Sequence, residues 1–114
     1  MTRRFAIAAA GLLVGLIAAC SGEPASSTLK WRAASEAGIY GYLIYRAEDR
    51  VGPFQRVNQA IVRVPADGAE EHRYAYVDDD LVPGQTYYYY LDAVSTGGVK
   101  QRFSGILSKE ASSD

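Results

Sequence analysis

Short segments of alternating apolar and polar residues, separated by turn residues, fill this chain over residues 28–108. The alternation has a period of two, which is the period of a β-strand with one buried face. Turn residues such as Asp67-Gly68, Pro83-Gly84 and Gly97-Gly98 separate the segments. No long segment of this region has the 3.6-residue apolar period of a helix. The pattern therefore predicts an all-β domain, built as an antiparallel β-sandwich.

Three motifs in this region resemble those of a fibronectin type III domain. They are Leu29-Lys30-Trp31, Gly41-Tyr42-Leu43-Ile44-Tyr45-Arg46 and Leu81-Val82-Pro83-Gly84-Gln85-Thr86-Tyr87. In such domains a core tryptophan lies on strand B, a Gly-Tyr motif on strand C, and a tyrosine hydroxyl bonds to the backbone at the corner before strand F. The resemblance implies an immunoglobulin-like β-sandwich of fibronectin type III type, with Tyr87 as the corner tyrosine.

The period of two also assigns side chains to the faces of each strand. We expect the following residues to face the core: Leu29, Trp31, Tyr42, Ile44, Tyr74, Tyr76, Tyr87, Tyr89, Leu91 and Ala93. For the segment with Tyr74 and Tyr76, the alternative is the opposite phase, with Ala75 and Val77 facing the core. The phase of the last strand, within residues 99–108, stays open because a bulge after Gly97-Gly98 would invert it.

Leu43, Tyr45, Tyr88 and Tyr90 take the opposite, outward parity. Strands C and F are neighbours in the family that the chain resembles, so these four residues are expected to share one exposed face. An exposed apolar and tyrosine-rich face is typical of a contact surface. The alternative is that the aromatic pairs only stabilise the sheet, by about 0.2–1 kcal/mol each.

The chain departs from the family at strand A, which would precede the tryptophan strand. Few residues lie between Cys20 and Thr28, and Gly22 and Pro24 are among them. Strand A is therefore expected to be short or missing. If it is missing, strand B becomes a sheet edge with free backbone groups, which is a pairing hazard or a docking site.

An uncharged run over residues 5–19 follows Arg3 and Arg4 and ends at the only cysteine of the chain, Cys20. A membrane-spanning helix needs about 20 apolar residues, so the run is short for a permanent anchor and fits a signal peptide. The residues before the cysteine, Leu16-Ile17-Ala18-Ala19, resemble the lipobox of bacterial lipoproteins. The resemblance implies cleavage before Cys20 and attachment of lipid to its thiol. It also implies a location in the bacterial cell envelope, in the outer membrane since Ser21 is not aspartate, or on the outer face of the cell membrane in a Gram-positive bacterium.

These observations divide the chain into four parts. Residues 1–19 are the predicted lipoprotein signal peptide, 20–27 the lipidated cysteine and a short tether, 28–109 the β-sandwich domain and 110–114 a polar tail. The formal net charge is −1, and removal of Arg3 and Arg4 makes it more negative. No basic run is visible, so a nucleic acid is not expected as a partner.

Candidates for catalysis and metal binding are few. His72 is the only histidine and is expected at the surface near the start of a strand, while a triad of a serine, His72 and one of Asp78, Asp79 and Asp80 has no geometric support. The three consecutive aspartates diverge, unlike the spaced oxygens of a calcium loop, so Asp78 is expected to cap the strand end in an Asx turn. We predict no catalytic residue, no metal site and no cofactor.

The function predicted from the sequence is a lipid-anchored, non-enzymatic binding module of the bacterial envelope. It would contact a protein partner through the tyrosine face or the sheet edge. The alternative is a surface lipoprotein that contacts carbohydrate or peptidoglycan. A hydrolase and a domain without any ligand are further alternatives.

Overall fold

The computed structural model describes residues 24–113. The regular secondary structure of this part of the chain consists of β-strands alone. The strands are β1 Ala25–Ala34, β2 Ile39–Ala47, β3 Gln55–Arg56, β4 Val62–Arg63, β5 Glu71–Leu81, β6 Thr86–Ser95, β7 Lys100–Arg102 and β8 Leu107–Glu110. The predicted signal peptide, Cys20 and the first residues of the predicted tether lie outside the described residues. No helix within residues 24–113 is long and apolar enough to cross a membrane.

The strands form two antiparallel sheets of unequal width. β1 pairs with β5 alone, whereas the larger sheet has the order β3-β2-β6-β7, with β4 against β2 and β8 against β6. The core lies between the sheets, where Leu29 of β1 and Leu81 of β5 belong to one cluster with Ile44 of β2 and Tyr89 of β6. The predicted all-β class is therefore confirmed, and the two sheets are consistent with a β-sandwich.

The alternation of buried and accessible residues follows the predicted period of two. β6 buries every second residue from Tyr87 onward. The residues predicted to face the core are buried or partly buried: Leu29, Tyr42, Ile44, Tyr74, Tyr87, Tyr89, Leu91 and Ala93 are buried, while Trp31 and Tyr76 are partly buried. The predicted phases of these strands are confirmed.

Aromatic rings fill one end of the core. The Trp31 ring is stacked on Tyr74 with a centroid distance of 5.2 Å and meets the Tyr42 ring edge-on at 5.6 Å. Phe103 closes the cluster with its centroid 5.1 Å from that of Tyr42. Such pairs stabilise a fold beyond the area that they bury, by about 0.5–1.5 kcal/mol. Trp31 thus connects the narrow sheet to the wide one.

The corner between β5 and β6 contains the hydrogen bond that the sequence predicts. The backbone N–H of Val82 donates to the Tyr87 hydroxyl oxygen at 3.0 Å. Gly84 lies within the corner with a φ of 81°, a left-handed conformation that favours glycine. The bond fixes the direction in which β6 leaves the turn.

Gly41 is required by the close approach of β4 to β2. A Cβ atom at this position would lie 2.6 Å from the Val62 carbonyl oxygen and 2.8 Å from Ile61 Cγ1. Neither distance is compatible with ordinary packing. The glycine of the Gly-Tyr motif therefore lets β4 pair with β2 at this point.

The first strand begins at Ala25, earlier than the predicted domain boundary at Thr28, and no strand precedes it within the described residues. Near the other end of the described residues, Ser112 forms a bridge with Ser26. Paired backbone therefore extends into both the predicted tether and the predicted polar tail.

The last strand is divided into β7 and β8. Between them, the backbone N–H groups of Phe103 and Ser104 both donate to the Leu91 carbonyl, at 2.8 and 3.3 Å. Two residues of the last strand therefore face one residue of β6, as in a β-bulge. The irregularity lies after Arg102, not directly after Gly97-Gly98, and explains why the phase could not be read from the sequence.

Replacement of Trp31 by alanine should lower the free energy of unfolding by about 3 kcal/mol, because a large ring is removed between the two sheets. Urea denaturation monitored by circular dichroism measures the change. Val51→Ala is the control, since Val51 is 87% exposed and its truncation should change stability by less than about 0.5 kcal/mol. A Trp31→Ala protein as stable as the control would show that the ring does not hold the sheets together.

Candidate functional site

The outer face of the larger sheet carries the predicted tyrosines. Tyr45 of β2 lies directly opposite Tyr90 of β6 in the strand register, and their rings are stacked with a centroid distance of 4.8 Å. The Phe54 ring, which lies just before β3, is tilted against Tyr90 at 4.9 Å. Tyr88 follows on β6 with the same parity. The structure thus brings three of the four predicted site residues onto one face.

Arginine side chains cover these rings. The guanidinium carbon of Arg102 lies 3.7 Å from the centroid of Tyr90, and that of Arg50 lies 5.3 Å from the centroid of Tyr88. Both distances fall within the range of cation–π attraction. We call the surface formed by these residues the tyrosine–arginine face. Its members are Tyr45, Arg50, Phe54, Tyr88, Tyr90 and Arg102.

The sequence predicts that Leu43, the fourth site residue, is exposed, and this prediction is wrong. Its residue exposure is 4%, although it has outward parity and belongs to neither core cluster. The register places Leu43 opposite Asp92, next to the Tyr45–Tyr90 pair. Arg102 pairs with Asp92 in the next strand, and its long side chain extends towards Tyr90. Parity determines the face of the sheet on which a side chain lies, but neighbouring long side chains determine whether it is reached by solvent.

Sequence analysis missed Phe54, Arg50 and Arg102. Phe54 and Arg50 lie in the connection between β2 and β3, where no period assigns a face. Arg102 belongs to the last strand, whose phase stayed open. The sequence contained one signal for Phe54, since it directly follows Gly52-Pro53. A turn at these two residues returns the chain towards β2, so the aromatic ring after it can contact the face of that sheet.

A second cluster of polar residues surrounds Glu36, which lies in the connection between β1 and β2. Its carboxylate accepts hydrogen bonds from the hydroxyl groups of Tyr42 and Tyr74, the latter at 2.7 Å. His72 Nδ1 lies 2.8 Å from the same carboxylate, and His72 Nε2 lies 2.7 Å from Asp67 Oδ1. His72 lies at the start of β5, as predicted, but its side chain is only 11% exposed because Glu36 and Asp67 cover it.

The hydrogen bonds of this cluster shift the pKa values of its members. Hydrogen bonding to Glu36 and then to Asp67 raises the pKa of His72 above its ordinary value. Burial alone would raise the pKa of Glu36, but hydrogen bonds from Tyr42, His72 and Tyr74 outweigh it and lower that pKa. Both ring nitrogens of His72 face carboxylates, so neither is directed at a serine, and the arrangement is one of structural ion pairing.

Asp78 lies at the other end of the core and is 5% exposed. Its two carboxylate oxygens each accept a hydrogen bond from Arg46 Nη1 at 2.9 Å, and Oδ2 also accepts one from the Tyr89 hydroxyl at 2.6 Å. The predicted Asx turn at Asp78 is therefore wrong, because β5 continues through all three aspartates. Within residues 24–113, no group of three or more histidine, cysteine, aspartate or glutamate side chains could hold a metal ion.

The comparisons with known proteins give one partial similarity. No family model matches the chain, and no solved structure matches it. An amylopullulanase of Thermoanaerobacter thermohydrosulfuricus is 36% identical over 75 residues, which is 65% of this chain and 4% of that enzyme. The chain therefore spans a small fraction of the length of the curated relative that it matches.

His72 should make the stability of the domain depend on pH. Because its pKa is raised from 6.5 in the folded state, its contribution is complete below pH 6.5 and is lost as the pH rises through the folded-state value. Glu36 and Asp67 act in the opposite direction, because folding lowers their pKa values from the ordinary 4.5 and 3.8. Their contribution to stability is complete above the ordinary values and is lost as the pH falls through the lowered, folded-state values. Urea denaturation between about pH 3 and pH 9 should therefore show maximal stability between these two ranges.

His72→Gln is the matched variant for this experiment, because His72 is the only histidine of the chain. The variant should lose the decline in stability above pH 6.5 and keep the decline in acid. An unchanged slope above pH 6.5 in the variant would show that another group titrates there.

Proposed function

We propose that this chain is a non-enzymatic binding module that docks a protein partner through the tyrosine–arginine face. The stacked Tyr45–Tyr90 pair under Arg102 carries the proposal. Tyrosine and arginine are enriched in protein interfaces, and truncation of such residues costs the most binding energy. Stacking and cation–π contacts hold these side chains in place before a partner arrives. Less conformational entropy is then lost on binding.

The domain itself is proposed to be of fibronectin type III type. Three observations support this assignment: the Val82–Tyr87 hydrogen bond at the corner, the position of Trp31 between the sheets, and the pairing of β2 with β6. In this assignment the tyrosine–arginine face is the outer surface of strands C and F.

The module is further proposed to be held at a bacterial membrane by lipid on Cys20. The support is the sequence pattern, since residue 20 lies outside the described residues. Each buried CH₂ group of an acyl chain contributes about 0.8 kcal/mol, so two or three long chains hold a small domain at a membrane. Ser21 favours the outer membrane in a Gram-negative bacterium.

Cys20→Ala should abolish lipid incorporation and release the protein from the membrane fraction, because the thiol that accepts the lipid is lost. Metabolic labelling with a fatty-acid analogue, followed by fractionation and mass spectrometry, measures both effects. Ser21→Ala is the control and should remain lipidated. A Cys20→Ala protein that keeps residues 1–19 and stays in the membrane would favour an uncleaved anchor.

Replacement of Tyr45, Tyr88 and Tyr90 by serine should abolish capture of the protein partner, because the stacked surface is removed. Crosslinking in intact cells followed by mass spectrometry compares this variant with the wild type. Val77→Ser is the matched control, because Val77 is 55% exposed and lies on the opposite sheet. Thermal unfolding must first show that the triple variant is folded. Equal capture by wild type and triple variant would exclude this face as the docking surface.

Carbohydrate binding is the second candidate function, and the similarity to a segment of amylopullulanase favours it. Affinity electrophoresis with pullulan, and sedimentation with peptidoglycan, test it on the same set of variants. If pullulan retards the wild-type protein but not the triple tyrosine variant, and if no protein partner is captured, carbohydrate binding would replace the protein-docking proposal. The close cover of Tyr90 by Arg102 favours the protein partner, because a sugar stacks on an open ring face.

A further inference from the structure

One edge of β1 is unpaired along most of its length. The backbone N–H and C=O groups of Ser26 pair with Ser112 at 2.9 and 3.0 Å on this edge, whereas the Ser35 N–H donates to Glu70 on the β5 side. Backbone groups alternate between the two edges of a strand, so those of Thr28, Lys30 and Arg32 point to the same edge as those of Ser26. No described strand covers these three residues on that edge.

An apolar groove of about 140 Å³ lies beside this edge, between the two sheets. Leu29 and Trp31 of β1 line one wall, and Leu91, Phe103 and Leu107 line the other. The groove exists because the narrow sheet has two strands and leaves part of the larger sheet uncovered. The indole Nε1 of Trp31 is buried and has no hydrogen-bond acceptor among residues 24–113, which is costly for a buried donor.

The rim of the groove is positively charged. Lys30 and Lys109 both line it, and neither forms an ion pair with another described residue. Arg32 follows on the same face of β1, with a single contact to Glu71 at 3.5 Å. Opposite charges on neighbouring strands stabilise a sheet, and like charges destabilise it.

We propose that this edge and groove accept an extended acidic segment of a partner protein as an added β-strand. Its backbone would pair with Thr28, Lys30 and Arg32, its apolar side chains would enter the groove, and its acidic side chains would lie beside Lys30 and Arg32. The inference rests on the proposed binding role and assigns it a second surface, which shares Tyr90 with the first.

Two other occupants fit less well. A second copy paired edge to edge would bring Lys30 and Arg32 of one chain against those of the other. The chain's own N-terminal residues would have to turn back along β1, and cleavage before Cys20 would leave too few of them to reach Lys30. An acidic strand from a partner avoids both difficulties.

Trp31 provides the assay, because it is the only tryptophan of the chain and lines the groove. The probe is a synthetic peptide of about nine alternating glutamate and valine residues, the length of an ordinary strand. Added to the purified protein that begins at Cys20, it should change the Trp31 emission with saturation below about 1 mM. A peptide with lysine in place of glutamate should bind at least about tenfold more weakly.

Lys30→Pro is the decisive variant, because proline removes an N–H that points to the free edge and leaves the β1–β5 ladder intact. Its affinity for the acidic peptide should fall at least about tenfold relative to Lys30→Ala, which loses the same charge and keeps the backbone donor. Equal binding by these two variants would overturn strand addition. Absence of any emission change up to about 1 mM would overturn the proposal altogether.

Amide hydrogen exchange on the wild type gives a test that does not depend on a variant. The peptide should protect the amides of Thr28, Lys30 and Arg32, and the amides of Leu29 and Trp31, which face β5, should change little. If protection of the same three amides rises with protein concentration in the absence of peptide, the β1 edge pairs with a second copy of the chain instead. The tyrosine–arginine face is tested in cells with the triple Tyr45, Tyr88 and Tyr90 variant, whereas the β1 edge is tested on the purified protein with Lys30 variants and a peptide. Failure of either proposal is therefore distinguishable from failure of the other.

Discussion

Burial of tyrosine hydroxyl groups is the constraint on which the rest of this structure depends. A small domain that fills its core with tyrosine must supply a partner for every buried hydroxyl, since an unpaired polar group is costly. Glu36 accepts from Tyr42 and Tyr74 at one end of the core, and Asp78 accepts from Tyr89 at the other. Each acceptor is a carboxylate, so each needs in turn a compensating cation.

The two carboxylates have different partners, and this difference divides the core into two ends. Arg46 is permanently charged and binds both oxygens of Asp78, so the cation at that end keeps its charge at any ordinary pH. His72 binds Glu36, and this hydrogen bond raises the pKa of His72 above its ordinary 6.5, so the other end responds to pH. The aromatic cluster around Trp31 lies at this second end and depends on Tyr42 and Tyr74 being held by Glu36.

The unequal width of the two sheets determines which surfaces the domain leaves accessible. The wide sheet places tyrosines and arginines on its outer face, where their rings and guanidinium groups contact one another. The narrow sheet leaves a strand edge and a groove with cationic side chains beside an apolar floor. The domain thus presents two surfaces of different chemistry, one formed by aromatic and arginine side chains and one that includes free backbone groups.

The sequence by itself determined the all-β class, the inward parity of Trp31, Tyr42 and Tyr89, and the Tyr87 corner, because period and turn residues are local properties of the chain. It also placed Tyr45, Tyr88 and Tyr90 on one face. The burial of Leu43, the ion pairs of His72 and Asp78, the arginines over the tyrosines and the groove beside Trp31 were decided by tertiary structure alone. They depend on which side chains meet across strands and turns distant in sequence, and parity along one strand carries no information about such neighbours.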